Sequence, residues 1–165
     1  MKNRNIFVLL PLCILSTLTG IAIGKLSSFK NVLEMKNSLE SNKEKVNKFK
    51  GYYNTLNQWL VIKNQGKSIE DYFKKNNYMT SAIYGMGGIG ERVYEELKKT
   101  DVDVKYFIDK SVINSRLKVF DINDELPYVD VIIVTPIFAF DDIERELSQK
   151  VNYPIVSIED IIYEI

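Results

Sequence analysis

A chain of 165 residues with 22 basic and 22 acidic side chains, one cysteine and no histidine is sized for one modest domain. The lone cysteine excludes a disulfide scaffold and cysteine-based metal sites, and the lack of histidine excludes histidine metal centres, His-dependent triads and the commonest general base. The net charge of zero is unevenly spread, with +2 over residues 1–24, +6 over 25–80 and −8 over 81–165; so acidic a C-terminal part argues against nucleic acid as a partner.

Residues 1–5 form a short flank carrying Lys2 and Arg4. Residues 6–24 are an almost unbroken apolar run without charge, close to the roughly 20 residues that cross a bilayer. The run predicts a transmembrane helix, or an uncleaved signal anchor. The competing reading is a cleaved signal peptide, with Ala22-Ile23-Gly24 as a weak cleavage site. Cys13 lies inside the run and is expected to pack. Lys25, Lys30, Lys36 and Lys43 follow closely, so the expectation is a single-pass membrane protein whose globular domain faces the cytoplasm. The basic middle segment is then explained by anionic lipid nearby.

Residues 25–64 read as a helical, coiled-coil spacer. Val32, Met35, Leu39, Asn42, Val46, Phe49, Tyr53, Leu56 and Leu60 follow a strict 3-4 spacing, which is the seam of a left-handed coiled coil with Asn42 as a polar register residue. The pattern predicts a homodimer through residues 32–60. The plainer alternative is one amphipathic helix lying on the domain, and the half from Gly51 onward suits that better. Gly66 marks the C-terminal end of the helix. Ser68 with Asp71 reads as the N-cap of a short helix, Ile69 to Asn76. Gly66-Lys67-Ser68 is no P-loop, because Val61 stands where that motif needs a glycine.

From residue 65 to 165 the chain reads as a Rossmann-like nucleotide-binding domain. Ser81–Tyr84 is a short strand that runs into Gly85-Met86-Gly87-Gly88-Ile89-Gly90 and then a helix over 88–99. G-x-G-x-x-G in that context brings backbone N–H groups and a helix N-terminus up to a phosphate. Gly85 makes the turn, Gly87 admits the ligand and Gly90 lets helix and strand close up. A second strand over 104–108 ends at Asp109, placed to accept from a ribose hydroxyl; the bland alternative is an acid capping the Ser111 region. Lys118–Phe120 is a short third strand. The β-branched run 130–135 is a buried parallel strand, followed by a helix over 140–149, a strand over 154–157 and a terminal helix capped by Ser157. The fold class is therefore α/β: a small parallel sheet in the order 3-2-1-4-5 with helices on both faces, preceded by the transmembrane helix and the spacer. Ligands in such sheets sit beyond the carboxyl ends of the strands. That gathers Gly85, Met86, Gly87, Gly88, Ile89, Gly90, Asp109, Lys110, Thr135 and Pro136 around one crevice.

Ile83-Tyr84-Gly85-Met86-Gly87 with Gly90, then Tyr106-Phe107-Ile108-Asp109, then Val129 through Thr135, resembles the Rossmann-like domain of surface-polysaccharide biosynthesis proteins. That domain accompanies nucleotide-sugar dehydratases, polyprenyl-phosphate sugar transferases and glycosyltransferases. Trp59-Leu60 and Gly66-Lys67-Ser68-Ile69 with Tyr72 resemble the lead-in seen in such proteins, so the likeness covers residues 52–165. It implies binding of NAD(P) or a nucleotide-sugar, and a glycosyltransferase or other glycan-assembly protein as partner. The family's catalytic parts lie in other domains, and none of them is in this chain.

The leading expectation is thus a membrane-anchored, non-catalytic nucleotide-binding scaffold or regulator in cell-surface polysaccharide biosynthesis, with no catalytic and no metal residues. One alternative is a minimal NAD(P)-dependent sugar-nucleotide oxidoreductase or epimerase, disfavoured by the missing base and the small size. Another is a ligand-gated regulator of a membrane transporter, disfavoured by Pro136-Ile137-Phe138 where such domains carry an acid. Tyr94/Lys98 and Tyr106/Lys110 match Tyr-x-x-x-Lys but fall on the wrong elements for proton transfer. Asp141, Asp142, Glu144 and Glu146 read as a solvated helix start.

Overall fold

The computed structural model describes residues 4–110 and 116–165, with the side chains of residues 4–23, 26 and 27 outside that description. The Ser111 region is likewise outside it. The chain divides into two compact units, Met1–Phe49 and Lys50–Ile165.

Helix α1 runs from Arg4 to Asn64. The expected transmembrane helix over 6–24 is not supported: among the described residues, no helix is long and apolar enough to cross a membrane. From residue 28 to 50, where its side chains are described, α1 carries six lysines and three glutamates, whereas a span needs roughly 20 predominantly apolar residues in a row. The single-pass location, and the cytoplasmic placement built on it, fall with the helix.

In the second unit the helix ends as its sequence suggests. Gly66 takes φ +78°, Lys67 N–H donates to Ile62 O at 3.0 Å and Gly66 N–H donates to Lys63 O at 3.0 Å. That pair of bonds satisfies two of the last carbonyls and needs a left-handed residue, which glycine supplies without strain. Helix α2, Ile69–Asn76, starts where Asp71 accepts from the Ser68 N–H at 2.8 Å.

Strands β1 (Thr80–Tyr84), β2 (Asp103–Ile108), β3 (Val119–Phe120), β4 (Val131–Val134) and β5 (Ile155–Ser157) form one sheet. Every pairing is parallel, in the order β3-β2-β1-β4-β5. Helices α3 (Gly88–Leu97), α4 (Phe140–Leu147) and α5 (Ile158–Glu164) complete the unit. Each residue of β4 is buried, as a strand covered on both faces must be.

On one face Ile83, Phe107 and Ile133 pack with Trp59 and Ile62 from α1, Phe73 from α2, Leu97 from α3 and Ile161 from α5. On the other, Ala82, Tyr106, Ile132 and Val134 meet Ile143 and Leu147 of α4. The strands' amino ends are tied by Asp130, whose carboxylate accepts from the N–H groups of Met79 and Thr80, each at 2.8 Å, and from the Thr80 hydroxyl at 2.9 Å. These backbone donors, Met79 first, hold its pKa below the usual carboxylate value.

Ser81 breaks the rule that buried polar groups are paired. It is fully buried in β1, and among the described residues its hydroxyl has no hydrogen-bond partner. An unmet buried hydroxyl costs about 1–3 kcal/mol. Ser81→Ala is therefore expected to raise unfolding stability by about 1 kcal/mol, read from the midpoint of urea denaturation. A lowered midpoint would mean that the hydroxyl does have a partner.

Candidate functional site

The crevice lies at the carboxyl ends of β1, β2 and β4, and its centre is the turn from β1 into α3. Gly85 leaves the strand at φ +91°, a conformation that L side chains avoid. Its N–H donates to Ile108 O at 2.9 Å. A Cβ on Gly85 would stand 2.7 Å from Thr135 Oγ1 and 3.0 Å from Pro136 Cδ. Thr135 is the post beneath this turn. Its N–H donates to Tyr84 O at 3.0 Å, and its hydroxyl lies 3.0 Å from both Tyr84 O and Gly85 O.

Gly90 closes the other side. A Cβ there would fall 1.9 Å from Gly85 O, so glycine is needed for α3 to lie against the end of β1. Gly87 and Gly88 are different. Gly87 is the N-cap of α3 with φ −73° and ψ −174°, which any residue adopts. Among the described residues, nothing lies within 4 Å of a Cβ built on either one. Neither strain nor internal packing demands glycine at these two positions, and both line the crevice. The first turn of α3 also presents N–H groups that helix geometry leaves without an intrahelical carbonyl.

Asp109 enters from the end of β2. Its Oδ2 accepts from the Met86 N–H at 2.8 Å, so the carboxylate holds the glycine turn in shape while lining the crevice. Met86 is half-buried and its side chain packs on the α3 face of the core, as does that of Ile89. Lys110 is exposed at the strand end.

The crevice measures about 580 Å³, and its walls are Gly85, Gly87, Gly88, Ile89, Asp109, Thr135 and Pro136 together with Tyr52, Leu56 and Arg92. Of the ten residues proposed from sequence, seven line it. Gly90 and Met86 shape it from behind, and Lys110, exposed and next in sequence to Asp109, is not among its walls. Tyr52, Leu56 and Arg92 were not foreseen. Arg92 had a legible signal, since it lies one turn beyond Gly88 on α3. The α1 wall had a subtler one in Gly51: a Cβ there would meet Phe138 Cζ at 2.1 Å. The glycine thus admits the Phe138 ring, which packs edge-to-face on Tyr52 with centroids 5.5 Å apart. Burial raises the Tyr52 pKa.

The two Tyr-x-x-x-Lys pairs are packing features. Tyr94 sits edge-on to Phe107 at 5.3 Å, with the Lys98 ammonium 5.7 Å from the Tyr94 ring centre. The Tyr106 hydroxyl donates to Pro127 O at 2.6 Å, and burial raises its pKa strongly. At the start of α4, Asp142 pairs with Arg145 at 2.9 Å. Among the described residues, no group of acids and cysteine is arranged to hold a metal ion.

No protein-family model, no curated protein and no solved structure matches this chain.

Proposed function

We propose that the second unit binds a phosphate-bearing nucleotide-type ligand across the carboxyl ends of β1, β2 and β4, and that it does so as a binding module without chemistry of its own. The observation that carries this reading is the contrast among the glycines. Gly85 and Gly90 are required by the fold, whereas nothing among the described residues requires glycine at 87 or 88, and both leave room in the crevice wall where a pyrophosphate would approach backbone N–H groups. The ionisable side chains lining the crevice are Tyr52, Arg92 and Asp109. Burial raises the Tyr52 pKa further from neutrality, and Asp109 is engaged by the loop. That set suits recognition better than proton transfer.

The resemblance to the domains of surface-polysaccharide biosynthesis proteins makes NAD(P) and nucleotide-sugars the first ligands to test. It also supplies the context of a scaffold or regulator for a glycan-assembly enzyme such as a glycosyltransferase. The test is thermal unfolding of the full chain against NAD(H), NADP(H), nucleotide-sugars, adenine nucleotides and coenzyme A. One class is expected to stabilise it, by about 2.7 kcal/mol at a hundredfold excess over Kd. Gly87→Asn keeps a good N-cap and has room in the unliganded fold, so it should melt like the parent and lose the ligand response. No response to any of these ligands in the folded parent would overturn the proposal, as would a response that Gly87→Asn leaves intact.

A further inference from the structure

In the first unit, α1 carries an apolar stripe whose described side chains are exposed. Val32, Met35, Leu39, Val46 and Phe49 are 64%, 66%, 65%, 64% and 76% exposed, and with Asn42 they keep the 3-4 spacing of a coiled-coil seam. Val32, Met35 and Leu39 also line a shallow groove of about 400 Å³. So long a stripe of large apolar side chains marks an interaction surface.

The charges beside the stripe say what fits it. With Val32, Leu39 and Val46 as the first core position of each heptad, the positions flanking the seam between 31 and 50 are Asn31, Lys36, Ser38, Lys43, Lys45 and Lys50. Each charged one is a lysine. The acids Glu34, Glu40 and Glu44 fall on outer positions of the heptad, and of these Glu40 lines the groove, beside Lys36 and Lys43. Flanking residues choose the partner in a coiled coil. A second copy in parallel register would set Lys45 of one chain toward Lys50 of the other, and an antiparallel copy would again place lysine toward lysine. Like charges across an interface select against that pairing.

We propose that residues 32–49 are the docking face for a helix of a different protein, one whose apolar seam is flanked by carboxylates and carries a polar residue opposite Asn42. The occupant completes a heterotypic coiled coil, its carboxylates reaching Lys36, Lys43 and Lys45. This inference is independent of the crevice and its ligand.

The probe is a fluorescent peptide of about three heptads with Val and Leu core positions and Glu at every flanking position, titrated with the full chain. Its counterpart carries Lys at those positions. The glutamate peptide is expected to bind at least tenfold tighter than the lysine peptide, with the gap narrowing as salt rises. Lys43→Glu should shrink that preference, and Leu39→Gln, on a residue exposed in the free chain, should abolish binding of both. Equal binding of the two peptides, or none of either, would overturn the proposal. So would sedimentation showing a dimer of the full chain that Leu39→Gln dissociates, which would give the seam to a second copy. Binding to vesicles of phosphatidylcholine and phosphatidylserine, lost in Leu39→Gln, with no preference between the peptides, would give it to lipid.

Discussion

Replacing Gly90 by alanine is expected to destabilise the second unit by about 3 kcal/mol, at the upper end of what one added methyl costs in a packed interior. The added Cβ would fall 1.9 Å from Gly85 O, and the atom it meets is backbone, not the movable tip of a side chain. Gly85 cannot yield easily. Its N–H is held by Ile108 O, its carbonyl lies against the Thr135 hydroxyl, and its φ of +91° leaves few other turns to adopt. The strain must therefore pass to α3, whose Val93 and Leu97 are fully buried in the core. Urea unfolding followed by the fluorescence of Trp59, the one tryptophan, measures the loss. A penalty below about 1 kcal/mol would mean that α3 can slide along the sheet. Gly87→Asn, at the N-cap of α3 three residues earlier, is the internal control, since among the described residues nothing lies within 4 Å of a Cβ there. A large loss at Gly90 beside a small one at Gly87 would separate glycines that serve the fold from those that face the crevice.

The sheet was legible because its central strands are covered on both faces, so Val131 to Val134 read as an unbroken β-branched run. The turns were legible because each depends on one residue type. Gly66 ends α1, Asp71 closes the start of α2, and the Ser157 hydroxyl accepts from the Glu159 N–H at 3.2 Å. The role of Asp109 was only half legible. A strand-end acid announces itself by position, but whether its carboxylate meets a ligand or the Met86 N–H depends on how the glycine turn curls back. The apolar run over 6–24 illustrates the opposite failure: hydropathy alone suggests a bilayer span, and the structure does not support one. In α1 the sequence carries two superposed stripes. The 3-4 seam is the obvious one, yet Tyr53 and Leu60 stay exposed while Thr55, Trp59 and Ile62 are buried. That second stripe is short and includes a threonine, so the longer repeat masks it.

Trp59 anchors this second stripe, and Trp59→Ala is expected to cost about 4 kcal/mol, within the range for truncating a buried aromatic. The indole is 5% exposed, and its Nε1–H donates to Glu96 Oε2 at 3.1 Å. The same carboxylate oxygen pairs with Lys63 Nζ at 2.5 Å. The other oxygen accepts from the Ile69 N–H at 3.1 Å. One glutamate on α3 thus holds the last turns of α1 and the first residue of α2. Glu96→Ala should cost about 2–3 kcal/mol, because the indole and the Ile69 N–H are left without their acceptor. The double variant should cost less than the sum, since both substitutions remove the same indole–carboxylate bond. Far-UV circular dichroism in urea measures all three without relying on tryptophan. Strict additivity would show that Trp59 and Glu96 act separately. The consequence reaches the crevice, because Tyr52 and Leu56 stand on its wall one to two turns before Trp59 on the same helix. A Trp59→Ala protein that remains folded should therefore bind the crevice ligand more weakly. The end of α1 would then be as much a part of the binding site as the glycine loop.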